Sequence, residues 1–309
     1  MMGKRKNSKK ILNSILAIIV LLIILLFGQN ERIQEYIENV QYNSINEVSS
    51  TVQDTKNGKT IVIGSGDIEN DNNLKVYYID VGQADSILIM NKNETMLIDA
   101  GNNEDGENVV NFIKSKGVTK LNYVIGTHPH EDHIGGLDDV INNIDVDKIY
   151  LPQIQTNTKT YEDVLKAIQN KNKKINSLKK GDILQVGVTK FEVMTDSILD
   201  KNNLNLSSNI IRMEFNEVSF LFTGDAEIQN EKTITWPQTD ILKVGHHGSK
   251  TSTSLNFLKQ IKPKYAIISV GNDNDYGHPN KEILDRLKSV GTEIFRTDEC
   301  GTVEIIVTE

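Results

Sequence analysis

Cysteine is nearly absent, with Cys300 standing alone in 309 residues. A single thiol excludes an internal disulfide framework and any Cys-rich zinc ribbon. Positive charge is in deficit: 34 basic residues face 42 acidic ones, for a formal net charge of −8. Five of the cations (Lys4, Arg5, Lys6, Lys9 and Lys10) precede an apolar run near the N-terminus, so the rest of the chain is more acidic still. That balance argues against broad, sequence-independent binding of duplex nucleic acid, which needs Lys and Arg to neutralise phosphates. It leaves room for a local basic groove, or for metal ions that bring the positive charge themselves. No short-period repeat divides the chain, and histidine numbers only six.

The apolar run, Ile11 to Phe27, is broken only by Asn13 and Ser14. Its length is near the lower limit for crossing a ~30 Å hydrocarbon core. Gly28-Gln29-Asn30 follows, with neither an A-x-A cleavage pattern nor a lipobox cysteine. The expectation is an uncleaved transmembrane helix over 11–27, with secretion after signal cleavage as the alternative. Because the cations lie on its N-terminal side only, residues 1–10 are expected as a cytoplasmic tail, with the body outside the cell membrane. Residues 28–73, rich in Asn, Gln, Glu, Ser and Thr, read as a polar linker or stalk.

From Leu74 the texture changes, and residues 74–309 read as one α/β domain. Leu74–Asp80, Ser86–Met90 and Thr95–Asp99 have strand character, and Glu107–Ser115 has helical spacing. Leu121–Gly126 is a buried strand delivering a His-rich loop. Strands and helices then alternate through Asp240–Val244, Tyr265–Val270, the helix Lys281–Ser289 and the closing strand Thr302–Val307. This order suits two packed sheets with helices outside.

The loop Thr127-His128-Pro129-His130-Glu131-Asp132-His133 holds half of the histidines and two carboxylates. Imidazole is the commonest metal ligand, and alternation puts His128 and His130 on one side of an extended segment. This is the seed of a metal site, expected for two ions. The other three histidines, His246, His247 and His278, sit in Gly-flanked stretches of their own. Polar stretches at Asp80, Asp99, His128–His133, Asp225, His246-His247 and Gly271–His278 all end expected strands, where loops of one sheet edge converge. Singly, each is as well explained by a turn. Together they take in every histidine of the chain.

The pattern H-x-H-x-D-H, with an Asp-Gly turn before it and Gly-Asp then His after it, resembles the metallo-β-lactamase fold. The closer resemblance is to the hydrolase domain of ComEC-type DNA-uptake proteins, over about residues 74–309. Supporting stretches are Ile79-Asp80-Val81-Gly82-Gln83-Ala84-Asp85, Leu97 to Asn102, Phe220 to Glu227, Leu242 to Ser249 and Tyr276-Gly277-His278-Pro279. The resemblance implies a four-layer αββα sandwich and two divalent ions, Zn or Mn. It implies that His128 and His130 bind one ion, that Asp132 and His133 bind the second, and that Asp225 bridges them. His246 completes the second site, with the adjacent His247 open as the alternative. Asp99 and Asp80 give structural support, while Asp132, His247 and His278 are candidates for catalytic proton or substrate contacts.

There are departures. The histidine that many relatives place before the bridging Asp is missing, and the region reads Leu206-Ser207-Ser208-Asn209. One site is thus poorer in nitrogen, which weakens zinc against manganese. Ala84 replaces the usual Gly, and the channel and nucleic-acid-binding domains of the full-length uptake proteins have no counterpart here.

The implied activity is phosphodiester hydrolysis of DNA or another nucleic acid, by hydroxide generated between the two ions. An acyl hydrolase (lactonase, thioesterase or β-lactamase-like) using the same site is the alternative, and a non-catalytic surface binding module is the third reading. The topology has a direct check. Protease added to intact cells should remove the body and leave the N-terminal tail protected; a protected body reverses the orientation.

Overall fold

The fold begins earlier than the sequence suggests. In the computed structural model, which describes residues 49–309, β1 (Ser50–Thr55) and β2 (Gly58–Ile63) form an antiparallel hairpin. The expected tail, membrane helix and first part of the linker lie outside the described residues. Among the described residues no helix is long and apolar enough to cross a membrane. The expectation of a polar linker through residue 73 is therefore corrected from residue 50 onward. Averaged composition hides the apolar run Ile61-Val62-Ile63, which is buried, beneath the exposed Thr, Gln and Asp of β1. Gly58 is required by packing: a β-carbon there would lie 2.0 Å from the Thr302 carbonyl oxygen on the neighbouring strand.

The first sheet continues with β3 (Leu74–Tyr78), β4 (Ser86–Asn91) and β5 (Glu94–Ala100). Helix α1 (Gly106–Ser115) leads to β6 (Lys120–Ile125). Short α2 (Glu131–Ile134) and α3 (Leu137–Asn143) precede β7 (Asp145–Tyr150), and α4 (Lys159–Asn170) precedes β8 (Ile175–Asn176).

The second sheet holds β9 (Ile183–Val186), β10 (Thr189–Val193), β11 (Ile211–Phe215) and β12 (Val218–Phe222). After α5 (Ile228–Glu231) come β13 (Ile241–Lys243), α6 (Leu255–Ile261), β14 (Tyr265–Ile268), α7 (Lys281–Ser289) and β15 (Glu293–Arg296). Following α8 (Thr297–Cys300), β16 (Thr302–Val307) returns to the first sheet. The orders are β1-β2-β16-β3-β4-β5-β6-β7-β8 and β15-β14-β13-β12-β11-β10-β9.

Alternation along the strands builds the layers. Leu88, Leu97 and Val124 point to one side of the first sheet and pack with Val109 and Ile113 of α1, Val140 of α3 and Val164 of α4. Leu221, Leu242 and Ala266 point out of the second sheet toward Phe257 and Leu258 of α6 and Leu287 of α7. Between the sheets, Tyr78 meets Phe222 with ring centroids 6.3 Å apart. Helices thus cover the outer faces of two facing sheets, the arrangement expected from sequence. Side chains that accept backbone N–H groups start three of the helices: Thr158 from Tyr161, Ser254 from Phe257 and Asn280 from Glu282.

Strands β5 and β6 run parallel, as do β12, β13, β14 and β15. Their C-terminal ends, with the loop between β3 and β4, supply every polar stretch singled out in the sequence. Because Ile61 is fully buried, Ile61→Ala should cost about 2–5 kcal/mol in urea unfolding, whereas Val52→Ala on the exposed strand should stay within about 0.5 kcal/mol. Equal effects would return this hairpin to the status of a linker.

Candidate metal centre

Asp99 is the anchor. It is the next-to-last residue of β5, with φ of 59°, and is buried. Its Oδ1 accepts the Thr127 N–H at 2.7 Å, and its Oδ2 accepts the Thr127 hydroxyl at 2.7 Å. The same Oδ2 lies 2.8 Å from His133 Nδ1. A carboxylate accepts only, so Nδ1 carries a proton and it is Nε2 of His133 that faces the cleft. Thr127 has spent its own proton on Asp99. It therefore accepts from His128 Nδ1 at 3.2 Å, which turns His128 Nε2 toward His130 Nδ1, 2.9 Å away. One carboxylate thereby sets two imidazoles.

Asp225 stands opposite, on the turn after β12. Gly224 there has φ of 50°, and a β-carbon on it would lie 2.9 Å from Thr127 Oγ1, so the loops of the two sheets touch through a glycine. Each oxygen of Asp225 faces two imidazoles. Oδ1 lies 3.1 Å from His133 Nε2 and 3.6 Å from His247 Nε2; Oδ2 lies 3.9 Å from His128 Nε2 and 3.6 Å from His246 Nε2. Asp132 Oδ2 is 3.2 Å from His247 Nε2. The ligand-capable atoms of Asp132, His133, Asp225 and His247 all fall within 4.8 Å of one another.

His246 and His247 occupy left-handed backbone, at φ of 51° and 52°. Two such non-glycine residues in succession are strained and survive only where the surroundings hold them. His247 Nδ1 donates to the Ser269 carbonyl at 2.9 Å, which aims Nε2 at Asp132. Of the two rings the sequence leaves open, His247 is the one that lies with Asp132 and His133. His246 turns to the other oxygen of Asp225, on the side of His128, where the sequence lacks a histidine. At that gap the Ser208 hydroxyl accepts the Asp225 N–H at 3.2 Å.

Electrostatics follow from this crowding. Burial works against charge on His133, yet Asp225, Asp132 and Asp99 together raise its pKa well above the ordinary value. Burial likewise opposes ionisation of Asp225 and Asp132, but His133 and His247 hold both carboxyls below the usual range. Burial lowers His128 and His130, keeping them neutral as ligands must be. His133 Nε2 and Asp225 Oδ1 are buried and lack a hydrogen-bond partner, though they face each other. An imidazole nitrogen and a carboxylate oxygen so placed fit a divalent cation that accepts mixed N and O ligands.

Asp80, expected as support, lies exposed, and its Oδ1 accepts the Gly82 N–H at 3.3 Å without reaching the cluster. Asp85 takes that place. Its Oδ2 pairs with the fully buried Lys243 ammonium at 2.7 Å, and its Oδ1 lies 3.5 Å from His247 Nδ1. A lysine inside the apolar stretch Ile241-Leu242-Lys243-Val244 was the overlooked signal, since a buried charge demands a partner. His278 borders the cleft, an open space of about 320 Å³ shared with His130, Asp132, His246 and Tyr276. Burial and the neighbouring histidines lower the His278 pKa to about 4.

Comparison with known proteins agrees with this architecture. Residues 79–272 match the metallo-beta-lactamase superfamily. ComE operon protein 3 of Bacillus subtilis (strain 168) is 33% identical over 252 residues, covering 74% of this chain and 32% of that protein. Competence protein ComA of Neisseria gonorrhoeae is 27% identical over 240 residues, covering 76% and 32%. The chain thus spans about a third of the length of these relatives. In fold it is similar to the crystal structure of the metallo-beta-lactamase fold protein YhfI from Bacillus subtilis, with a TM-score of 0.54 at 13% identity over 75% of this chain and 99% of that one.

The buried pair makes a stability prediction. Lys243→Met leaves Asp85 charged and unpaired and should cost about 3–5 kcal/mol in denaturant unfolding, much of it recovered in Asp85→Leu/Lys243→Met. A single variant as stable as the parent would show that the ammonium does not hold Asp85.

Proposed function

This chain belongs to the metallo-β-lactamase superfamily of metal-dependent hydrolases, and from that premise we propose that it is a dinuclear phosphodiesterase acting on DNA or another nucleic acid. The observation that carries the reading is the central position of Asp225, with two imidazoles facing each carboxylate oxygen. In this reading Asp132, His133 and His247 would hold one divalent ion, and His128, His130 and His246 would hold the other. Divalent ions, Zn or Mn, would supply Lewis acidity at the scissile phosphorus when bound. The resemblance to DNA-uptake proteins favours a nucleic-acid substrate over an acyl one, and the competence name of one relative is in keeping with it.

The chain's own groups divide the remaining work. Asp132 is kept ionised by His133 and His247, so it serves as an anionic ligand and not as a proton store. Asp99 and the Ser269 carbonyl hold the protons of His133 and His247 on Nδ1, away from the cleft. His278, neutral near pH 7, suits a hydrogen bond to a substrate oxygen better than proton delivery. Strain at His246 and His247 pre-orders the two rings before substrate arrives. The acidic body fits a polyanionic substrate only where bound cations offset its charge. The run Ile11 to Phe27 anchors the chain in the cell membrane, with the hydrolase unit outside.

The full chain, loaded with Mn²⁺ or Zn²⁺, should cleave single- or double-stranded DNA and leave lactone and thioester substrates untouched. Metal analysis should return two ions per chain; less than one ion, or no loss in His128→Ala, sinks the centre. Asp132→Ala should lose more than the roughly 10- to 100-fold that removing a partner behind a metal ligand costs. Turnover of acyl substrates alone would move the chain to the acyl-hydrolase reading.

A further inference from the structure

The cleft has an aromatic rim that metal binding leaves unexplained. Tyr276 is 72% exposed, more than any other large apolar or aromatic side chain noted as exposed among the described residues. Single exposed aromatics are ordinary on a protein surface, but this one is held in place. Asn274 donates from Nδ2 to the carbonyls of Gly271 and His278 at 2.9 and 2.6 Å and accepts the His278 N–H at 3.0 Å. Gly271 in turn donates to Gln83 Oε1 at 3.2 Å, which fastens the loop to the β3–β4 connection. The Tyr276 ring stacks on His278, with centroids 5.7 Å apart and planes 22° apart. His278 then meets His246 edge-on at 5.7 Å. An unbroken aromatic run leads from Asp225 to solvent and ends in an open ring.

Resting on the phosphodiesterase reading, we propose that Tyr276 is a stacking subsite for the nucleobase next to the scissile phosphate. Every nucleobase presents a π-face, so a lone ring at this position grips a strand without reading its sequence. A base can stack there only when it is out of a duplex, which makes single strands or frayed ends the preferred ligand. The charge of the chain points the same way. With acidic residues in excess, a phosphate-tracking groove is a poor source of affinity, and stacking does not depend on net charge.

The test compares two oligonucleotides of about ten nucleotides, one oligothymidylate and one with the same backbone but abasic throughout. Binding to the full chain with Mn²⁺ is read by fluorescence anisotropy on cleavage-resistant phosphorothioate versions, and cleavage on the ordinary ones. Tyr276→Ala should weaken oligothymidylate binding about tenfold or more and raise its KM in step. The abasic strand should be unaffected, and Tyr276→Trp should restore the parent values. Equal loss on both strands, no loss on oligothymidylate, or failure of Tyr276→Trp overturns the subsite while leaving the phosphodiesterase reading intact. If the unsubstituted chain cleaves neither strand but hydrolyses an acyl ester, that reading falls and the subsite falls with it.

Discussion

Everything at the cleft depends on one carboxylate that never faces it. Asp99 takes three hydrogen bonds, from the Thr127 amide, the Thr127 hydroxyl and His133 Nδ1. Through them β5 fixes the loop after β6, chooses the tautomer of His133 directly and that of His128 through Thr127. Burial pushes the Asp99 carboxyl up, while His133 and the Thr127 amide draw it back. Ionised Asp99 can order the imidazoles; a protonated one would compete with them for acceptors. Its left-handed backbone is strain stored where it sets geometry.

A second constraint lies one layer deeper. Asp85 and Lys243 form an ion pair with almost no access to water, directly behind His133 and His247. Such pairs rarely add stability over apolar replacements, so their value lies in fixing position. Lys243 sits at the end of β13, and Asp85 immediately before β4. The pair therefore ties the two sheets together at the level of the ligands. An apolar contact would permit sliding that a charged hydrogen bond resists.

Much of this was legible in the sequence, because the informative patterns are local. Strand alternation, helix periodicity and the His128–His133 loop each fit within a dozen residues, and the strands they imply lie where expected. What escaped was short or non-local. The hairpin β1–β2 was averaged into polar neighbours, and β15 is four residues with charge at both ends. The division of labour between His246 and His247 depends on two backbone dihedrals that no residue type announces. The Asp85–Lys243 pair joins segments from different sheets, so neither partner reveals the other. Asp80 resembled a site residue only because it shares a motif with Asp85.

The placement of β16 has a bearing on how the molecule is made. The last strand in order lies between β2 and β3, parallel to one and antiparallel to the other. During synthesis β2 lacks the strand it pairs with on its inner side, and β3 shows an unpaired edge, until that final strand emerges. The hydrolase unit therefore closes all at once and late, with pairings of high sequence separation that slow folding. Until then the open edges of β2 and β3 are exposed to edge-to-edge pairing with other chains.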